Sequence, residues 1–153
     1  MVEDITTRKI SGRRDLSRFV RFPFSLYRDA PLWVPPIISD ELSGIDAEKN
    51  PVFAFTDAAF WLAERQGKVV GRIAGFVNHR DNDRRGKKAV RFGMIDFIDD
   101  PEVCAALLKA VEGWSREKRM NCMEGPLGPG HFDRNCVLVN GFDELPTAIS
   151  SYN

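Results

Sequence analysis

Three short stretches hold residues whose types and spacing could do chemistry. His131, Asp133 and Asn135 bunch near the C-terminus. A histidine beside an aspartate can act as a general base, the carboxylate orienting the ring and favouring its charged form. No serine nucleophile with a supporting motif accompanies them, so a hydrolase triad has no support. The plain alternative is a solvated loop histidine, and His79 has the same status. Just upstream, Gly125-Pro-Leu-Gly-Pro-Gly130 could curl into an anion-binding nest. Pro126 and Pro129 each remove a backbone donor, so a plain turn competes with that reading. The third stretch is basic: Arg80, Arg84, Arg85, Lys87 and Lys88, diluted by Asp81 and Asp83. It reads as a solvated loop, with anion binding as the minor option.

Other chemistries lack their residues. The cysteines are Cys104, Cys122 and Cys136, with no CxxC pair, and only His79 and His131 could join them. No metal site is expected. Trp33, Trp61 and Trp114 are too dispersed for a nucleobase-stacking platform and read as core or groove residues.

The positioning elements follow from periodicity and punctuation. Residues 5–10 alternate weakly and predict a short strand. Asp15 is placed to cap a helix with Leu16, Phe19, Val20, Leu26 and Tyr27 at helical spacing, kinked or split by Pro23. Pro31, Pro35 and Pro36 impose an extended path that Trp33 anchors. A short helix fits 40–50 and ends at Pro51. Strands are predicted at 58–64 and 69–77, turning at Gln66-Gly67, with Gly71 and Gly75 marking close backbone approach or a bulge. Residues 78–86 read as a polar loop and 89–98 as a third strand. Asp100 caps a helix that has Pro101 at its first position and Val103, Ala106, Leu107, Ala110, Val111 and Trp114 as its buried stripe. Cys104 belongs with its apolar side. The helix ends near Lys118 or Arg119. Residues 121–124 predict a short central strand, 137–139 a brief strand or turn, and 147–152 a last strand.

Composition bounds the rest. The chain has 153 residues, 43% hydrophobic and 29% charged, which suits one domain over 1–153 with its own core. Lys+Arg and Asp+Glu are both 22, so net charge directs the domain toward neither nucleic acid nor an anionic membrane. MVEDITTRK lacks an apolar signal-peptide region, and no apolar run approaches the ~20 residues of a membrane span. A cytoplasmic location is the expectation.

The order of elements, with the segments FPFSLYRDAPLWVPP, SDELS, KNPVF, VGRIAGFVNHR, RFGMIDFIDDPEV, EGPLG and NGFDELPT, resembles the N-terminal module of a group of uncharacterised bacterial GNAT-like N-acetyltransferase proteins. The resemblance spans almost the whole chain. It implies an α/β (α+β) GNAT-like fold with a mixed, mostly antiparallel sheet flanked by helices and with its C-terminal strands incomplete. In the superfamily, an Arg/Gln-x-x-Gly-x-Gly/Ala loop before a helix cradles the acyl-CoA pyrophosphate on backbone N–H groups. The splayed strand before that loop takes the pantetheine arm. Registered through Leu107-Leu108, the glycine positions of that pattern fall here on Glu102 and Cys104, with Asp99, Asp100 and Pro101 in the turn. A helix cap explains those residues better than a phosphate loop does. Phe97 and Ile98 at the strand end, and Gly128 and Gly130 in the later loop, are the cofactor-binding candidates that remain; His131 and Asp133 are the catalytic ones.

The resemblance thus implies the N-terminal half of an N-acyltransferase with a degraded acyl-CoA loop. This chain is expected to bind no cofactor itself, with acetyl-CoA or acyl-CoA the cofactor if the family activity is retained. The alternative is a non-catalytic interaction or dimerisation module that keeps the fold. The uncharged 147–152 segment, at an unfinished sheet edge, predicts a homodimer or a missing C-terminal module as partner, with a disordered tail as the plain reading.

Overall fold

The computed structural model describes residues 4–130, 133 and 135–146. The last-strand expectation at 147–152 lies outside the described residues, as does His131. Among the described residues five strands form one sheet in the order β1 (Thr6–Ile10), β2 (Thr56–Arg65), β3 (Lys68–Asn78), β4 (Ala89–Phe97) and β5 (Cys122–Glu124). The first four are antiparallel neighbours, and β5 runs parallel to β4. Helix α1 (Arg13–Leu26) and α2 (Ile38–Gly44) lie between β1 and β2, α3 (His79–Arg85) between β3 and β4, and α4 (Pro101–Glu117) crosses over from β4 to β5.

Period-two alternation sorts the side chains of β2 and β3 into two cores. Trp61, Ala63, Ile73 and Val77 face α4, where they meet Val103, Leu107, Val111 and Trp114. Phe60, Leu62, Ala74 and Phe76 face the other way, onto Phe19 and Val20 of α1. Helix α4 lies close because β3 offers it glycine: a Cβ on Gly71 would stand 2.9 Å from side-chain carbons of both Leu107 and Val103. At Gly75 the neighbour is the Trp114 ring, 3.1 Å away. The β2–β3 turn is Gln66-Gly67, both at positive φ, as a two-residue hairpin requires.

Several expectations need correction. Within 78–86, His79–Arg85 form α3 rather than a loop. The stretch lacks apolar periodicity, yet its caps are complete. The Asn78 side chain accepts from the Asp81 N–H, and Gly86 ends the helix at φ 62°. Asp15 does not cap α1. The helix begins at Arg13 after Gly12 (φ 83°), and the Asp15 carboxylate in its first turn is taken by Arg8. Pro23 does not split α1, which runs through it. Pro51 opens a short 3-10 turn, Pro51–Ala54, capped by Asn50, instead of ending α2, which stops at Gly44. Residues 137–139 carry no strand. Among the described residues β5 pairs with β4 alone, so it is an edge there.

Two departures from regularity in β4 matter for the site. Its register against β3 passes from Ala74↔Gly93 to Arg72↔Asp96, so Met94 and Ile95 together oppose Ile73. This is a β-bulge, with Met94 at φ 47°, uncommon for a residue with a Cβ. On its other side, β4 pairs with β5 only over Ala89–Arg91, and the chain then turns away. The Leu127 N–H still reaches the Phe92 carbonyl at 2.7 Å.

Candidate functional site

A cleft of about 250 Å³ opens over the bulge, between the α1–α2 layer and the loop that follows β5. Tyr27, Trp33, Phe53, Phe76 and Met94 give it apolar walls, Arg72 and Asp96 a polar floor, and Pro126, Gly128, Asp133 and Val137 its far side. Trp33 packs edge-on against Phe24 at 5.2 Å and lies 5.4 Å from Tyr27, the anchoring expected for it.

The floor is a buried ion pair. Arg72 Nε donates to Asp96 Oδ2 at 2.7 Å, with both side chains no more than 5% exposed. The Tyr27 hydroxyl donates to Asp96 Oδ1 at 2.7 Å. Arg72 Nη1 donates to the Phe19 carbonyl at 3.0 Å, and the guanidinium stands 4.9 Å from the Phe19 ring. That carbonyl is free for a reason written in the sequence. In a helix it would accept from the N–H four residues on, and that residue is Pro23, which has none. Charges this deeply buried must be paired and hydrogen-bonded, and these are.

The far wall is pinned from below. Asn78 Nδ2 donates to the Pro129 carbonyl at 3.0 Å, and Arg91, bridged to Asp81 at 2.6 Å, reaches toward the Gly128 and Pro129 carbonyls at 3.5 Å. Burial works to raise the Asp81 pKa, but Arg85 and Arg91 outweigh it and hold the carboxyl below its ordinary value. The 125–130 loop therefore turns carbonyl oxygens toward cations. Its Gly130 N–H donates to Asp133 Oδ2, so a carboxylate of the chain already sits where a nest would hold an anion.

The predicted candidates separate. Gly128 and Asp133 line the cleft, with Gly130 tied to Asp133. Phe97 and Ile98 lie on the opposite face, packed with the α4 core, and the Ile98 N–H is spent on the Val70 carbonyl at 3.0 Å. His79 is also elsewhere, 3.4 Å from Asp57, whose pKa is held low by Lys118 first and His79 second. Cys104 is half-buried, and burial pushes its thiol pKa up, away from a reactive thiolate. Among the described residues no group of three His, Cys, Asp or Glu is arranged to hold a metal. Nor is any helix of them long and apolar enough to cross a membrane.

Arg72, Asp96 and Tyr27 were missed as site residues. The signal was available: one charge stands inside each of two apolar strands, VVGRIAGFV and FGMIDFI. Their pairing depends on a register that the sequence does not display.

The start of α4 is filled by the chain's own groups. Asp100 accepts from the Glu102 N–H at 2.9 Å, Pro101 has no N–H, and Asp100 is bridged to Arg65 at 2.6 Å. The Arg65 hydrogen bond, then the helix N–H, hold the Asp100 carboxyl below its ordinary pKa, so it is an anion there. A phosphate would have to displace it.

No protein-family model matches the chain. It is 37% identical over 142 residues to "Protein YghO" of Escherichia coli (strain K12), a match covering 93% of this chain and 36% of that protein. It is 28% identical over 151 residues to "Bacterial ceramide synthase" of Caulobacter vibrioides (strain NA1000 / CB15N), covering 98% and 39%. The chain thus spans little more than a third of the length of these relatives. Among solved structures it is similar to a tandem GNAT protein from the clavulanic acid biosynthesis pathway (TM-score 0.59, 14% identity, 76% of this chain and 34% of that one). A predicted acetyltransferase with acetyl-CoA from Clostridium acetobutylicum gives a TM-score of 0.56 at 11% identity, over 79% of each chain. FeeM, an N-acyl amino acid synthase from uncultured soil microbes, gives 0.54 at 12% identity, over 82% of this chain and 74% of that one. The fold expected from the sequence is therefore the fold found: this chain has the mixed, mostly antiparallel architecture of the GNAT acyltransferases.

Proposed function

We propose that this chain is the acceptor-holding, N-terminal module of an N-acyltransferase whose acyl-CoA is bound by another part of a longer protein. One observation carries the proposal. The apolar cleft has the carboxylates of Asp40, Glu41, Asp96 and Asp133 along it against the single guanidinium of Arg72, among the described residues. Such a lining favours a ligand with an apolar body and a cationic head, which is what a long-chain primary amine presents. The α4 start, sealed by Asp100, supports placing the acyl donor elsewhere. The names of the similar proteins run the same way, one a ceramide synthase and the other an N-acyl amino acid synthase. In this reading Arg72 and Tyr27 hold Asp96 rigid as the polar floor, the aromatic walls exclude water, and the acids along the cleft keep the ammonium oriented.

The test is calorimetry on the 153-residue chain. A long-chain primary amine should bind, and its N-acetylated derivative should bind much more weakly. Acetyl-CoA and palmitoyl-CoA should give no heat. Binding of either CoA ester to this chain would overturn the assignment of roles. A second reading, a non-catalytic interaction module, rests on the same sealed helix. It would be favoured if neither the amine nor the CoA esters bind.

A further inference from the structure

The zero net charge hides a strong local asymmetry. Arg13, Arg14, Arg18, Arg21 and Arg28 fall within 16 residues, on and just after α1. Arg18 is bridged to Glu64 and Asp15 and Arg14 lies in the field of Asp15, but Arg13, Arg21 and Arg28 form no ion pair with a carboxylate among the described residues. Arg14 and Arg21, spaced by seven, share one side of α1, Arg28 follows just past its end, and all three are exposed. From residue 16 to residue 39 the one acid is Asp29, and the acids that follow, Asp40 and Glu41 in the first turn of α2, line the cleft.

Beside this ridge stand two exposed aliphatic side chains, Val34 at 68% and Ile37 at 66%. They are held there, not adrift. Trp33 is seated on Phe24 and Tyr27, and Phe24 lies three residues from Arg21 and four from Arg28. Ile37 caps α2, its carbonyl accepting from the Asp40 N–H at 3.0 Å. Pro35 and Pro36 stiffen the segment between them. The tip therefore has a fixed place next to the arginines. It also flanks the cleft, since Trp33 and Pro36 line it.

We propose that this face docks on an anionic phospholipid surface, with the arginine ridge among the headgroups and Val34 and Ile37 dipping into the acyl boundary. Charge complementarity chooses the occupant. Unpaired arginines attract a dense field of phosphates, while rigid exposed aliphatics gain by entering a bilayer interface. Either part alone would be weak, and stable interfacial binding takes two such signals. The net charge of the chain predicts no membrane attraction; the segregation of that charge reverses the expectation for this one face. The inference does not depend on the acyl-acceptor reading, since binding to lipid is measured without donor or acceptor.

The experiment is co-sedimentation of the whole chain with vesicles of mixed phosphatidylglycerol and phosphatidylcholine, against pure phosphatidylcholine. Binding is expected to the mixed vesicles only, and to weaken with added salt. Arg21→Gln/Arg28→Gln should lower the partition coefficient by roughly fivefold per arginine removed. Val34→Ser/Ile37→Ser should lower it at unchanged charge. All four residues are exposed, so an unchanged melting temperature will confirm that the variants fold. Absence of binding to the mixed vesicles overturns the proposal, as does equal binding by both variants and the parent chain. So does loss of self-association in Val34→Ser/Ile37→Ser by light scattering without any vesicle binding, which would make the face a protein interface.

Discussion

Replacing one member of the Arg72–Asp96 pair should be far more damaging than replacing both. Arg72→Met leaves the Asp96 carboxylate, 5% exposed, with the Tyr27 hydroxyl as its remaining partner given above. Asp96→Leu leaves the guanidinium, 4% exposed, with the Phe19 carbonyl and ring. Each strands a buried charge, which costs about 3–5 kcal/mol. In a domain of this size about 2–4 °C of melting temperature goes with each kcal/mol, so each single variant should melt roughly 6–20 °C lower. The double variant Arg72→Met/Asp96→Leu strands no charge and puts apolar volume into an already apolar cleft. It should recover most of the loss, because well-packed apolar replacements of buried ion pairs are often neutral. Urea denaturation of all four proteins closes the cycle. The reasoning fails if the single variants each cost under about 1 kcal/mol, or if the double variant costs their sum. The double variant also separates stability from function. It should fold and yet lose affinity for a long-chain amine, since the polar floor is gone.

Further outcomes follow from other contacts. Gly71→Val would drive a side chain into Leu107 and Val103, already 2.9 Å from an added Cβ, and should cost about 1–3 kcal/mol in urea titration; an unchanged midpoint would mean α4 is not seated as described. Asp100→Ala removes the α4 cap and the Arg65 bridge, and should lower the melting temperature by about 2–4 °C; no change would count against that helix start. Lys87 first, then nearby arginines, depress the Glu124 pKa below 4.5, and Lys118 first, then His79, depress that of Asp57 below 3.8. A depressed carboxyl gives stability that is complete above its unfolded value and is lost as pH falls through the folded one. The melting temperature should therefore hold above pH 4.5 and fall below 3.8; a rise on acidification through that window would refute these pairings.

Where local signals agreed with tertiary packing, the sequence could be read. Asp100-Pro101 with a periodic stripe marked α4, Gln66-Gly67 marked the hairpin, and Gly71 and Gly75 marked the face on which α4 lies close. What was hidden had no apolar period or no local cause. Helix α3 is built from HRDNDRR and held by its caps and by buried Asn82, whose amide pairs with the Ala89 carbonyl at 2.9 Å. The cleft escaped notice because its floor joins residues from separate elements. Arg72 and Asp96 are 24 apart in the chain, and Tyr27 is 69 from Asp96. The loop residues singled out for chemistry, Gly128 and Asp133, do line the cleft, but what they face was not legible from their own segment.

The bulge at Met94 explains why the ion pair exists at all. Upstream of it, Ala74 opposes Gly93, and an unbroken register would set Arg72 opposite Ile95. Side chains alternate, so Ile95 would then face the cleft and Asp96 would point into the α4 core among Val103 and Leu107. The extra residue reverses this parity. Met94 packs with the α1 core, Ile95 and Phe97 with the α4 core, and Asp96 arrives beside Arg72. The proline in α1 acts on the same side chain from the other direction, leaving the Phe19 carbonyl for Arg72 to bind. Each irregularity carries a local cost, a positive φ at a methionine and a missing helix hydrogen bond. Both converge on one buried guanidinium. A stability role alone gives little reason for that convergence, since an apolar pair would pack as well without either irregularity. The acceptor-holding function proposed above supplies such a reason, a polar floor that holds a fixed carboxylate in an apolar cleft.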